Sequence, residues 1–392
     1  MGDVSLMRFF KRKFISPLNE FIHDSRAVGI ILLFCTLVSL AISNSAWSSG
    51  YIRFWETEFA IPIPGLHLPH SILHLINDLL MTFFFFLVGL EIKRELLVGE
   101  LSSIKKSMLP VFAATGGMVV PALTYLLWCG DTPFRNGWAM PMATDIAFSL
   151  GVLSLLGKRV PLSIRIFLTA LAIIDDLGGI LTIAMFYTET IHLFYLGLAA
   201  AILLILTLMN VFKTRSYWLY VVLAIPLWYF VFNSGIHATI AGVVLALTIP
   251  IHKIEKLEHH LHDPVNFIVL PLFALANTAI LLPSEIGFIF SSPIHHGIVA
   301  GLVLGKPIGI FLFGLLAVQL KLAVRPATMS WGQLWGLGLI AGIGFTMSIF
   351  ITMLAFDLPG RQLIGKVAII EASLLAGVVG FIYLRFTAAS RA

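Results

Sequence analysis

The sequence predicts an all-α polytopic membrane protein with twelve transmembrane helices and a small β-hairpin on its outer surface. Three observations carry that prediction. Of 392 residues, 59% are hydrophobic and only 11% are charged, with a mean hydropathy of +0.98. Soluble domains carry roughly 25% charged residues. Twelve apolar runs reach spanning length, close to the roughly 20 residues a helix needs to cross the hydrocarbon core. Basic residues alternate between the connections in step with twelve crossings.

The first run, 26–43, follows Arg8, Lys11, Arg12 and Lys13. It lies far from the start for a removable leader and reads as a span. The others are 72–91, 108–129, 137–157, 162–187, 192–210, 216–232, 236–251, 264–282, 296–318, 333–356 and 364–386. One set of connections holds the basic N-terminal segment, Lys93, Arg94, Lys105, Lys106, Lys158, Arg159, Lys213, Arg215, Lys253, Lys256, Lys321, Arg325, Arg385 and Arg391. The alternate set holds Arg53, Arg135 and Arg361. This asymmetry places both termini in the cytoplasm. Connections are short, so residues 1–392 read as one membrane domain. The basic residues are scattered and the net charge is only +5, so nucleic acid is not an expected partner. Cys35 and Cys129 lie in or beside apolar runs, and no disulfide is expected.

The long outer segment runs from Asn44 to Ser71. Within it, Glu58-Phe-Ala-Ile-Pro-Ile-Pro-Gly-Leu-His-Leu68 alternates in character around Pro64-Gly65 and reads as the hairpin. An irregular loop is the other reading, given the extra prolines.

Polar residues inside the spans carry the chemistry. Asp175 and Asp176 adjoin each other in a run otherwise almost free of polar bulk. Two neighbouring carboxylates in an apolar helix each need a counter-charge, a proton or a bound cation. A site that holds either protons or a cation is the physical core of an ion/proton exchanger. In the fourth span, Pro141 is followed closely by Ala143-Thr144-Asp145. In the eleventh, Leu337-Gly-Leu-Ile-Ala-Gly-Ile-Gly-Phe-Thr-Met-Ser348 is rich in glycine. Broken helices at membrane depth are tolerated only against protein or a water-filled cavity. Two interrupted spans in different halves point to an inverted-repeat transporter with a central site. Lys306, in the middle of the tenth span, is too deep to snorkel and needs a carboxylate or carbonyl partner. It reads either as a structural ion pair with Asp175 or as a pair that also titrates.

Ala143-Thr144-Asp145, Ile174-Asp175-Asp176-Leu177-Gly178, Gly305-Lys306-Pro307 and Val88-Gly-Leu-Glu-Ile-Lys-Arg-Glu-Leu96 together resemble the motifs of the NhaA-type sodium/proton antiporters, collinearly over nearly the whole chain. The resemblance implies a twelve-span fold with inverted-topology repeats, spans three to five against ten to twelve. It implies that spans 4 and 11 are unwound and cross near the midplane. It makes Asp176 the main carboxylate for cation and proton, and Asp175 its neighbour, able to pair with Lys306. The transported Na+ or Li+ is thus expected at Asp175 and Asp176. Thr144 and Asp145 fall at the crossing, where Asp145 can offset two helix N-termini and Lys306 two helix C-termini. Hard cations prefer oxygen ligands, and no cofactor is expected. Also implied are an exchange of Na+ or Li+ for H+, a bacterial inner-membrane location and a homodimer held by the outer hairpin; the exchange is electrogenic if the Asp175–Lys306 pair changes protonation along with Asp176.

A second group is expected at the cytoplasmic mouth. Glu91, Arg94 and Glu95 share one helical face. Glu258, His259 and His262 open the ninth span. The resemblance makes these positions a pH-sensing region; without it they read as a solvated helix end. Asp78 and His237 match the family as well, Asp78 with a structural role and His237 as a hydrogen-bonded core residue. His295 and His296 read as solvated residues of an outer loop. An intramembrane aspartyl protease fits poorly, because its acids come from separate helices. The stronger alternative is a cation-coupled symporter of organic acids on a similar fold, which would need a roomy cavity for its solute.

Overall fold

The structure, a computed structural model, describes residues 25–59, 68–188, 190–214 and 216–389. Helices account for nearly all of it. They are α1 (Ser25–Ser43), α2 (Ser48–Glu56), α3 (Ile72–Leu97), α4 (Ile104–Cys129), α5 (Ile146–Leu155), α6 (Leu162–Phe186), α7 (Leu193–Val211) and α8 (Tyr217–Phe232). There follow α9 (Ile240–Thr248), α10 (Ile251–Pro264), α11 (Leu270–Asn277), α12 (Pro293–Gln319), α13 (Trp331–Ala341), α14 (Phe345–Ala355) and α15 (Pro359–Ala389). A 3-10 helix, Arg135–Met142, precedes α5.

Eight helices among the described residues are long and apolar enough to cross a membrane, and nine if the bent pair α13 and α14 is one span. The remaining apolar runs form shorter helices, with 16 residues in α8, 9 in α9 and 8 in α11. The span expected at 264–282 differs most. Helical backbone begins at Ile251 and runs unbroken to Asn277 through a π turn, Val265–Val269. Hydropathy hides this because Ile251–Pro264 is strongly charged, although its backbone is helical. Pro264 has no N–H to give to the preceding turn, and a π turn follows it directly.

His295 is a correction. It lies in the first turn of α12, not in a solvated loop, and is 7% exposed with Nε2 2.8 Å from Glu371 Oε2; His296 lies in the same turn, half-buried, with its ring edge-on to Trp128. Ser292 accepts from the Ile294 N–H and Pro293 fills the first helical position, so the helix starts earlier than hydropathy suggests. Residues 60–67 of the expected hairpin lie outside the described residues. At its base Glu58 and Ser71 form an antiparallel bridge, and the Phe59 N–H donates to His70 O at 2.9 Å.

Two apolar clusters organise the molecule. The larger draws on α1, α3, α4, α5, α6 and α11 to α15. The smaller joins α7, α8 and α9 to Leu90 of α3. The broadest contact within the larger cluster is α4 against α12. Gly116 and Gly309 make it possible, since a Cβ on either would run into the other's carbonyl oxygen. Small residues let helix backbones approach this closely. A π turn, Gly301–Gly305, lies just ahead of Lys306 in α12. These two features set the depth and direction from which Lys306 reaches the centre.

Candidate functional site

The centre is built where two helices break. The 3-10 helix ends at Met142, Ala143 is extended, and α5 starts at Ile146. In the other half, α13 stops at Ala341 and α14 resumes at Phe345, with a bend of 48°. The two breaks are bonded together, because the Asp145 N–H donates to Ile343 O at 2.7 Å. Backbone groups freed by one break are therefore satisfied by the other.

Asp145 caps two helices at once. Its Oδ1 accepts from the Phe148 N–H of α5 at 2.9 Å. Its Oδ2 accepts from the Thr346 N–H at 3.1 Å and from Thr346 Oγ1 at 2.5 Å, both in the first turn of α14. Two partly positive helix ends thus share one carboxylate. The opposite ends are served by Lys306 and Thr144. Lys306 Nζ donates to Met142 O, the last carbonyl of the 3-10 helix. Thr144 Oγ1 lies 3.0 Å from Ala341 O, the last carbonyl of α13.

The same two side chains hold Asp175. Lys306 Nζ is 3.0 Å from Asp175 Oδ2, with both side chains fully buried. Thr144 Oγ1 is 2.7 Å from that oxygen. Asp176, one residue on, is 1% exposed, and neither of its carboxylate oxygens has a hydrogen-bond partner. The charges of Asp175, Glu91, Asp145 and Lys306 all act on it. One acid is thus tied to a lysine and its neighbour is left with unused oxygens, a donor set suited to a proton or a hard cation.

Glu91, Arg94, Glu95 and Glu258 form the second group. Arg94 bonds Glu258 Oε2 at 2.5 Å and Glu95 Oε1 at 3.1 Å. Glu95 Oε2 also accepts from the Glu100 N–H at 3.0 Å. Glu258 is 8% exposed. Burial pushes its carboxyl up from the ordinary value, while Arg94 pulls it down. Glu91 is within electrostatic range of both Glu258 and Asp176, so it links this group to the centre. The two histidines expected here stay apart. His259 is exposed, and His262 lies 3.5 Å from Asp263 on the exposed side of α10.

His237 is packed edge-on against Phe350, with Nδ1 2.9 Å from Thr239 Oγ1 and Nε2 3.5 Å from Asp78 Oδ1. Asp78, His237, Asn136 and Asp357 line a polar cavity of about 640 Å³. Thr346 is the site residue that sequence reasoning missed. Its signal was its place two residues past Gly344, where a new helix needs its first N–H groups satisfied.

Comparison with known proteins gives a consistent result. The sequence profile of the family described as Na+/H+ antiporter 1 matches residues 19–384. The chain is 47% identical over 380 residues to the Na(+)/H(+) antiporter NhaA 1 of Flavobacterium johnsoniae, covering 95% of this chain and 98% of that protein. It is 47% identical over 375 residues to the Na(+)/H(+) antiporter NhaA of Cytophaga hutchinsonii, covering 94% and 95%. With the corresponding protein of Citrobacter koseri it shares 45% over 378 residues, covering 94% and 97%.

Proposed function

This chain belongs to the Na+/H+ antiporter 1 family and exchanges sodium ions for protons across a membrane; on that premise, we propose that Asp176 is the group for which the two ions compete. The observation that carries this reading is its isolation: a buried carboxylate with both oxygens unpartnered, beside an acid already tied to Lys306 and Thr144. Such a group needs a positive partner. With the site facing the cytoplasm, Na+ displaces the proton. With it facing outward, protons displace Na+. One carboxylate cannot hold both well, so occupancy by one ion expels the other. Li+, a smaller hard cation, is a second cargo for the same oxygens.

Asp145 and Lys306 offset the ends of the broken helices, which lets the breaks persist at membrane depth without stray charge. Where the Asp175–Lys306 pair changes protonation along with Asp176, more protons enter than cations leave, and the exchange is electrogenic. Glu91, Arg94, Glu95 and Glu258 form the cytoplasmic mouth, where acids raise the local concentration of cations and protons alike.

The architecture that fits this mechanism is one membrane domain over residues 1–392, with twelve spans in inverted repeats and both termini in the cytoplasm. In it the breaks in spans 4 and 11 cross near the midplane. The bond from Asp145 to Ile343 and the charge alternation of the connections support it. The bacterial inner membrane is the setting, and the outer hairpin joins two copies. Organic-acid symport is not favoured by the antiporter relatives. The test is Asp176→Asn in proteoliposomes. Sodium-driven proton movement falls to background if Asp176 carries the ions; movement at the parent rate sinks the assignment.

A further inference from the structure

A groove of about 510 Å³ opens between the first turns of α4 and α6 and the connection from α12 to α13. Its wall is apolar, formed by Leu109, Pro110, Ile166, Phe167 and Val324. Its rim carries Lys105, Lys106 and Arg325 against a single acid, Glu100. That acid faces Lys106, Nζ to Oε2 3.3 Å, and both of these side chains are exposed. Three cations and one anion leave the lining two positive charges in excess. Arg325 lies over the Trp331 ring, 5.3 Å to the centroid, and donates to Met329 O, so its plane is held in place. Neither α4 nor α6 has an acidic residue in its first turn, nor a side-chain cap. Their positive ends therefore add to the rim's charge. The exchange at Asp176 uses none of these groups.

We propose that this groove holds one anionic phospholipid. Its phosphate sits among Lys105, Lys106 and Arg325, and an acyl chain runs along Ile166 and Val324, the exposed apolar side chains of the wall. The argument for that occupant is complementarity of two kinds in one place: an excess of positive charge at the rim, and an apolar wall beneath it. A free inorganic anion matches only the rim, and a zwitterionic lipid brings to the rim a phosphate whose charge its own cationic head cancels. The lipid bridges α6, which carries Asp175 and Asp176, to α4 and to the connection that follows α12, the helix that carries Lys306. It therefore fastens elements that must hold their spacing for the Asp175–Lys306 pair to persist.

The test uses the full chain purified in a neutral detergent. Lipid retention is read by native mass spectrometry and stability by thermal unfolding, with phosphatidylglycerol, phosphatidylcholine or inorganic phosphate added. Phosphatidylglycerol is expected to stay bound and to raise the unfolding midpoint more than the other two. In the combined variant Lys105→Gln, Lys106→Gln, Arg325→Gln, retention is expected to weaken about fivefold for each cation removed. The same loss of charge elsewhere, Lys213→Gln, Lys256→Gln, Arg385→Gln, is expected to leave retention at the parent level. Should the combined variant not fold, Lys105→Gln alone carries the comparison, with about a fivefold loss. The proposal is overturned if the groove variant retains phosphatidylglycerol like the parent, or if the control variant loses as much. Equal stabilisation by phosphatidylcholine or by inorganic phosphate overturns it too. Because the readout is lipid binding, its failure leaves the exchange mechanism untouched.

Discussion

Asp175 and Asp176 adjoin in sequence yet face different surroundings. Asp175 is bonded to Lys306 and Thr144, whereas Asp176 has no partner. The difference predicts different responses to mutation. Lys306→Gln leaves Asp175 without its cation and the Met142 carbonyl without its donor. Breaking a buried pair from one side costs about 3–5 kcal/mol, and thermal unfolding in detergent should register it. Adding Asp175→Asn removes the stranded acid, so the double variant should recover part of that loss. An unchanged midpoint in the single variant would show that the pair contributes nothing. If the pair also titrates, current per cation should fall in Lys306→Gln and stay low in the double variant. Of the central polar residues, Thr144, Asp145, Asp175, Asp176 and Lys306 stand out in the sequence, and Thr346 does not. Polar groups are conspicuous where their neighbours are apolar. His295 was misread for the converse reason: two histidines after Ser-Ser-Pro look like a loop. Its carboxylate partner, Glu371, is 76 residues away in sequence.

At the scale of elements, the broken helices depend on Asp145 as a shared cap. Thr346→Val keeps the shape and the backbone N–H but removes the 2.5 Å hydroxyl donor. A hydrogen bond to a charged group contributes about 1.5–3 kcal/mol, so a stability loss of that order is expected, with exchange retained. Loss of exchange at parent stability would instead make Thr346 part of the ion path. Both breaks were visible as proline and glycine interruptions; their mutual bond was not, because nothing in sequence pairs residues 145 and 343. The group around Arg94 was legible only in part. Helical spacing brought out Glu91, Arg94 and Glu95, but the side from which α10 meets α3 decided that Glu258 joins them and His259 and His262 do not. Burial raises the Glu258 carboxyl above its unfolded value, so the folded state holds that proton more tightly. The group therefore costs no stability below the ordinary carboxylate value of 4.5. Its cost appears as pH rises from there through the raised value. Glu258→Gln should flatten that part of the stability-versus-pH curve. A curve of unchanged slope would place the titration elsewhere. In transport, Glu91→Gln removes a negative charge that acts on Asp176 and should move the activity profile to lower pH at limiting sodium. Profiles that overlay the parent at both limiting and saturating sodium would exclude a sensor at Glu91, leaving competition at Asp176 as the source of pH dependence.

For the whole molecule, composition and the apolar runs were enough for a many-helix membrane chain. They could not give helix lengths, since the short α9 and α11 owe their bounds to turns and neighbours rather than to hydropathy. Two apolar clusters meet at α3, and the bonded breaks lie beside α6 in the larger one. The exchange mechanism reduces to one claim, that Na+ and protons compete for Asp176. It is tested most directly by adding Na+ to the purified, lightly buffered protein and recording the protons released across pH. The parent should release protons on Na+ addition, with the half-effective Na+ concentration rising as pH falls, and Asp176→Asn should release none. Equal proton release from Asp176→Asn, or a half-effective Na+ concentration independent of pH in the parent, would contradict the account.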